Sequence, residues 1–408
     1  MSGRVIFVNR YFFPDHSATS QLLTDLALSL ASHGKDVHVL TGRQLYDEPN
    51  AALPTQERHQ GVDIHRIWTT RFGRGRLLGR LCDYVTFYFS TLIVMLRMAR
   101  KGDVIVSKTD PPLISVVGYI VGRLTGAVQI NWVQDLFPEV GTAVGVRGMS
   151  LIEGLLRRTR NLSLQAAYTN VVLGQRMAER LAQEGIAANH ISIIHNWADG
   201  DAIYPVPHEQ NTTRMDWGLS GYFIIGYSGN MGRVHEFQTI LHAAERVTHH
   251  ASLRFLFVGG GAQLRWLKEE VARRNLRNVL FQPYQPRHLL RLTLGVPDIH
   301  LVSLNPRLEG LVVPSKFYGI AAAGRGVINI GDPSGEIAKL IREGNCGYTV
   351  APEAAHSLVT LIERLATDPT EVSRLGTRAR ALFELKYNRS EAYRKWEMTL
   401  NKGLSLAA

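Results

Sequence analysis

Short apolar runs alternate along this chain with longer stretches whose apolar residues recur every three or four positions. In the first half, the runs at residues 4–9, 37–41, 62–67, 104–107, 128–133 and 170–173 are rich in Val and Ile. Runs of this length predict strands, mostly buried on both faces. Between them, residues 20–33 put Leu22, Leu23, Leu26 and Leu30 on one helical face, and Gly34 supplies a helix stop. Further helices are predicted at 113–124 and about 151–166. Residues 196–213, with Pro205, Pro207 and Asn211, break the periodicity and read as a linker. The alternation then restarts, with strands at 223–227, 253–258, 279–281, 299–302 and 327–330. The helices between them fall at 237–247, 262–274, 287–294 and 316–323, and long charged helices follow from 355 onward. Strand-helix alternation predicts a parallel, doubly wound α/β sheet in each half. Two such halves imply a ligand-binding cleft between them.

Composition narrows the class. The 408 residues suffice for two domains, and 45% hydrophobic with 20% charged residues is ordinary for a globular chain. Cys82 and Cys346 match no metal or redox spacing and read as packing residues in a reducing compartment. Met1-Ser2-Gly3-Arg4 runs straight into a strand, so no signal peptide is visible and a cytoplasmic location is expected.

The formal charge of +11 calls for anionic partners. Between residues 71 and 101 lie Arg71, Arg74, Arg76, Arg80, Arg97, Arg100 and Lys101, against the single acid Asp83. The apolar run 84–96 between the basic clusters would rise only about 20 Å as a helix, short of a bilayer's roughly 30 Å. Basic ends around an apolar middle suit a segment resting on an anionic membrane. A buried helix with solvated ends is the other reading. No nucleic-acid motif accompanies the charge, so nucleic acid is not an expected partner.

Several strand ends carry candidate chemistry. Leu308-Glu309-Gly310-Leu311-Val312-Val313-Pro314-Ser315-Lys316 leads into an Ala-rich helix start. Unpaired N–H groups there, with Lys316 added, suit a phosphate. Glu309 suits sugar hydroxyls, or is an ordinary loop carboxylate. Tyr227-Ser228-Gly229-Asn230-Met231-Gly232-Arg233 closes the second half's first strand. Its glycines permit close approach of a phosphate, and Arg233 can fork onto phosphate oxygens. Gly259-Gly260-Gly261 reads as a close approach to a ribose or base, or as a turn cluster. In the first half, Gln134-Asp135-Leu136-Phe137-Pro138-Glu139 follows a strand end. Asp135 either serves a hydroxyl as base or orienter, or caps a helix that has Pro138 in its first turn. The loop 9–20 and Lys108-Thr109-Asp110-Pro111-Pro112 follow other strand ends. No histidine pair has helical metal-ligand spacing, so no metal site is expected.

Taken together, these residues resemble the GT-B glycosyltransferases of family 4, over nearly the whole chain. Within that family they resemble the bacterial colanic acid, O-antigen and capsule subgroup. The resemblance rests on Tyr11-Phe12-Phe13-Pro14-Asp15 with Ala18-Thr19, Gln134 to Glu139, Asn196-Trp197-Ala198-Asp199, Tyr227 to Gly232, and Pro314 to Gly319 with Ala322-Ala323-Gly324.

It implies two Rossmann-like domains facing across a cleft. An acceptor domain would span 1–200, with a C-terminal helix of about 385–408 packed back on it, and a nucleotide-sugar domain would span 207–384. It implies a retaining, metal-independent transfer from a nucleotide-diphosphate sugar, UDP-sugar favoured over GDP-sugar, to a polyprenyl-diphosphate-linked glycan. The enzyme would lie on the inner face of the cytoplasmic membrane and use no cofactor. Catalytic roles fall on Asp135, Arg233, Lys316 and Glu309. The donor would meet Gly229, Asn230, Gly232, Gly259, Gly260, Tyr284, Gly310, Leu311, Val312, Ser315 and Tyr318. The acceptor would meet Tyr11, Phe12, Asp15, Ser17, Thr19, Lys108, Gln134 and Glu139. The pattern departs where the family's Arg and Lys fall on Asn230 and His235, leaving Arg233 as the substitute cation. A nucleotide-sugar epimerase, or a non-catalytic nucleotide-sugar binder, would share the donor half.

Overall fold

A computed structural model of the protein describes residues 3–48, 50–73, 77–146 and 148–408. The chain divides into two compact units, Met1–His195 with Ala392–Ala408, and Asn196–Glu391. The predicted linker therefore belongs to the second unit, and the chain rejoins the first at residue 392.

In the first unit the described strands are β1 (Val5–Val8), β2 (Val37–Gly42), β3 (Gln56–His59), β4 (Val62–Ile67), β5 (Val104–Lys108), β6 (Val128–Trp132), β7 (Thr169–Val172) and β8 (Ile191–Ile193). They form one sheet in the order β3-β4-β2-β1-β5-β6-β7-β8, parallel except for β3 against β4. Central β1 is buried at all four positions, as a strand covered on both faces must be. The polar β3 escaped the sequence reading because Gln56-Glu57-Arg58-His59 has no apolar face; it is a charged edge strand. The helices are α1 (Ala18–Ser32), α2 (Leu77–Met98), α3 (Ile114–Thr125), α4 (Glu139–Ala143), α5 (Met149–Ala166) and α6 (Gln175–Gln183).

Helix α2 corrects the apolar-run reading. At 22 residues it is long and apolar enough to cross a membrane by length and composition. Its packing gives it another job. Asp83, Phe87, Thr91 and Met95, one turn apart, are buried. Phe87 and Met95 join the core with Ile6, Leu40 and Ile105. The other side exposes Leu78, Leu81, Val85, Phe89 and Leu96, also at helical steps. So α2 is half buried and half an exposed apolar face, not a core helix. It packs on α3, and α3 on α5. Arg74 and Arg76 of the basic cluster lie outside the described residues.

The second unit runs α7 (Thr212–Asp216), β9 (Phe223–Ser228), α8 (Gln238–Arg246), β10 (Leu253–Val258), α9 (Leu264–Arg273), β11 (Val279–Gln282), α10 (Leu290–Gly295), β12 (Ile299–Ser303), α11 (Lys316–Ala322), β13 (Gly326–Ile330), α12 (Glu336–Gly344), β14 (Gly347–Val350), α13 (Ala355–Ala366) and α14 (Pro369–Lys386). Its sheet is parallel throughout, in the order β11-β10-β9-β12-β13-β14. Ile225, Tyr227, Phe237, Phe255, Phe257 and Leu358 belong to its largest described core. The last helix, α15 (Arg389–Ala407), contributes its residues from 392 onward to the first unit, where Trp396 packs on Trp132 with ring centroids 4.6 Å apart. In both units the loops after the strand C-termini gather the candidate residues, the usual ligand position in open parallel sheets.

Candidate active site

In the second unit, the loops after β9 and β10 are stacked backbone to backbone. The Met231 N–H donates to the Gly260 carbonyl at 2.6 Å, and the Gly229 N–H to the Val258 carbonyl at 2.8 Å. Gly259 has φ +132°, and a Cβ there would lie 2.3 Å from the Gly229 carbonyl oxygen. That contact accounts for the glycine run: its first need is loop-on-loop packing. Tyr284 lies over Gly259 and Gly260 with its ring largely exposed.

Lys316 reaches this loop pair. Its Cε lies 3.8 Å from where a Gly229 Cβ would sit. Its amino group donates to the Tyr227 hydroxyl and sits 3.7 Å from that ring's centroid. Burial alone holds the Lys316 amino group well below its ordinary range. A buried lysine without an opposite charge is costly unless an anion arrives. The structure thus assembles Gly229, Asn230, Gly232, Gly259, Gly260, Tyr284 and Lys316. Helix α11 is only seven residues long, and its N-cap residue Ser315 makes no side-chain cap. The lysine side chain, not the short helix, supplies the charge.

Other expected donor residues are placed differently. Arg233 is exposed in the turn after Gly232. Gly310, with φ +76°, Leu311 and Val312 lie in the loop before α11. Tyr318 is not presented to a donor: it is fully buried and packs edge-on to Tyr387, 5.3 Å between centroids. The Oε1 atom of Glu309 accepts from the Glu336 N–H at 2.7 Å, capping α12. A sugar hydroxyl would have to share that carboxylate. His235, at one of the family's cation positions, is neutral. Burial, then Lys316, pushes it down to about 3, while Nδ1 bonds the Ser303 carbonyl at 2.6 Å.

In the first unit, Asp135 does not cap α4, whose N-cap position is Pro138. Its Oδ1 is sealed from solvent without a hydrogen-bond partner. Burial pushes the Asp135 carboxyl up to about 7, helped by the Asp110 charge and opposed by a hydrogen bond from Thr109. The same Thr109 hydroxyl accepts from the Gln134 N–H at 3.2 Å. Asp135 lines a cavity of about 20 Å³ with Ser107, Thr109, Asn131 and Arg160 among its walls. That is room for one water. A raised carboxyl beside a polar cavity at a strand's C-terminal end suits exchange of a proton with a hydroxyl.

Most of the expected acceptor residues serve the fold. Lys108 is wholly buried, donating to the Thr19 carbonyl at 2.8 Å and lying 3.5 Å from the Trp132 ring centroid. Glu139 pairs with Arg160 at 2.6 Å, both buried. Asp15 accepts from Ser17 and from the Tyr46 N–H, fixing the loop before α1. Tyr11 and Phe12 are buried. Short sequence strings around strand ends do not separate ligand contacts from loop braces. Residues without an assigned role also matter: Arg160, Asp110 and Tyr227. Tyr227 carried one signal, a polar-tipped residue in a buried strand beside glycine.

Residues 19–197 match the glycosyl transferase 4-like domain family, and residues 209–382 the glycosyl transferases group 1 family. The chain is 26% identical over 328 residues to the probable glycosyltransferase WbjE of Pseudomonas aeruginosa, covering 80% of this chain and 81% of that protein. It is 24% identical over 369 residues to the putative colanic acid biosynthesis glycosyl transferase WcaI of Escherichia coli K12, covering 86% and 89%. The fold is similar to that of Anabaena HepE, solved in complex with UDP-glucose, with a TM-score of 0.73 at 15% identity over 98% of this chain and 99% of that one. With both halves matched in order on two parallel α/β units, the chain belongs to the GT-B glycosyltransferases of family 4.

Proposed function

We propose that the protein transfers a sugar, with retention and without a metal, from a nucleoside-diphosphate donor to a polyprenyl-diphosphate-linked glycan during exopolysaccharide, capsule or O-antigen assembly. The observation that carries this reading is Lys316, a buried amino group with no opposite charge beside it among the described residues, next to the glycine loops of the second unit. Likeness to WcaI and to UDP-glucose-bound HepE supports the pathway class and the donor class. In the transfer, the bond from the anomeric carbon to the diphosphate oxygen breaks and the acceptor oxygen bonds the same face. The acceptor's proton passes to the departing phosphate. Lys316 and Arg233 neutralise the diphosphate, and Asp135 orients the acceptor hydroxyl.

We place membrane contact on the outer side of α2, continued by Leu124 of α3 and by Leu151, Leu155 and Leu162 of α5, all exposed. Exposed Arg71, Arg97, Arg100 and Lys101 would meet anionic headgroups. Because Phe87 and Met95 anchor α2 in the core, the helix would lie on the surface rather than cross it.

The test is melting temperature with UDP, GDP and their sugar conjugates in EDTA. One should stabilise the protein by about 2.7 kcal/mol at a hundred times its dissociation constant. Lys316→Ala should abolish the shift. No shift with any of them would sink the donor assignment.

A further inference from the structure

The donor reading leaves one buried group without a role. Tyr227 lies near the end of β9, fully buried, with its ring edge-on to Phe237 at 4.9 Å and tilted on Phe257 at 5.9 Å. These two contacts, with His235 edge-on at 5.9 Å, fix that ring. Its hydroxyl donates to the Asn230 carbonyl at 3.1 Å, inside the glycine loop, and accepts from Lys316. The lysine therefore meets both the oxygen and the π face of one side chain. Burial holds the phenol protonated, so this partner is neutral. The other polar groups around the pair are His235 from the loop after β9, Ser303 of β12 and Tyr284 from the loop after β11. None of these carries a negative charge.

We propose that Tyr227 is the positioning residue of the phosphate-binding lysine: its hydroxyl and ring hold the Lys316 amino group beside Gly229 until a phosphate oxygen of a nucleoside diphosphate takes the hydroxyl's place. This rests on the donor reading above. Exchanging a neutral acceptor for an anionic one strengthens the amino group's hold on its proton. Donor binding therefore draws a proton into the site, which leaves again when the diphosphate departs. Tyr227 sets the starting point of that exchange, since loss of its hydroxyl removes an acceptor from the ammonium form only.

The experiment is calorimetric titration of the full chain with UDP and with GDP, in EDTA, in two buffers of different ionisation enthalpy between about pH 7 and about pH 9. Wild type should take up a proton on binding. Tyr227→Phe keeps the packed ring. Because the phosphate displaces the hydroxyl, it should bind about tenfold more tightly at the acid end of that range, where the free protein no longer gives up one hydrogen bond to a charged group. The alkaline limb of its affinity should move to lower pH. A purely structural role would lower the melting temperature and leave that limb where it was. Unchanged affinity and limb in Tyr227→Phe, with binding abolished in Lys316→Met, overturns the positioning role and leaves the donor reading intact. If Lys316→Met binds as well as wild type, or wild type binds neither nucleotide, the donor assignment falls first and this proposal with it. Should Tyr227→Phe not fold, wild type alone decides: binding without proton uptake anywhere in that range overturns the exchange.

Discussion

Two lysines, Lys108 fully buried and Lys316 partly so, show how residue type underdetermines role. Lys108 is satisfied inside the first unit by a carbonyl and an indole, while Lys316 meets a phenol. Asp135 belongs with Lys316 as a group held in a costly state. Its raised carboxyl sets a direction for stability. Below about pH 4, folded and unfolded chains are both protonated there and nothing is lost. As pH rises, the unfolded chain ionises first, and stability falls until the folded group also ionises near pH 7. Asp135→Asn should therefore gain on wild type in melting temperature between about pH 4 and about pH 7, then hold a constant lead. Its transfer rate should fall by about 10²-fold, the cost of an acceptor hydroxyl no longer held in line. A constant difference across pH would show that the carboxyl is not shifted. Glu309 separates two roles in one side chain: Glu309→Ala should cost about 1 kcal/mol from the lost α12 cap. A loss of donor affinity beyond that would assign it to the sugar.

At the scale of elements, α2 is decided by its two stripes. The inner stripe includes Asp83, whose carboxylate accepts from the Thr70 hydroxyl and the Phe72 and Gly73 N–H groups, tying down the loop before the helix. The outer stripe is apolar and faces solvent, an arrangement that globular proteins reserve for a partner surface. Phe89→Glu combined with Leu81→Glu should leave melting within about 0.5 kcal/mol of wild type, as exposed changes do. The same pair should abolish flotation with anionic vesicles. Arg97→Ser with Arg100→Ser should weaken flotation mainly at low salt, because screening already removes the attraction at high salt. Retained flotation in the double glutamate variant would place the membrane contact elsewhere. The sequence showed the apolar run and its basic flanks, but only packing showed which face was left over.

For the whole molecule, the return of the chain to the first unit is its least local feature. Trp396 is fully buried against Trp132, which also stacks under Lys108. Trp396→Ala should cost about 3–5 kcal/mol, and calorimetry should assign the loss to one of two transitions. A single uniform loss across both would argue against two separately cooperative units.

Periodicity in the sequence was enough to determine the two parallel α/β halves, because a strand buried on both faces must be apolar throughout and a helix over it must repeat near 3.6 residues. The order of motifs was enough to determine the family. Glycines and Lys316 marked the loops to which donor binding is proposed, because few residues fit such backbone or tolerate such charge. Tertiary structure alone decided the rest. Whether Lys108, Asp15 and Glu139 touch a ligand depends on what lies opposite them, and those partners, Thr19, Tyr46 and Arg160, come from other parts of the chain. The neutral state of His235, the raised carboxyl of Asp135 and the Tyr227 hold on Lys316 have the same origin. Each is set by desolvation and by neighbours that only the folded chain brings within reach.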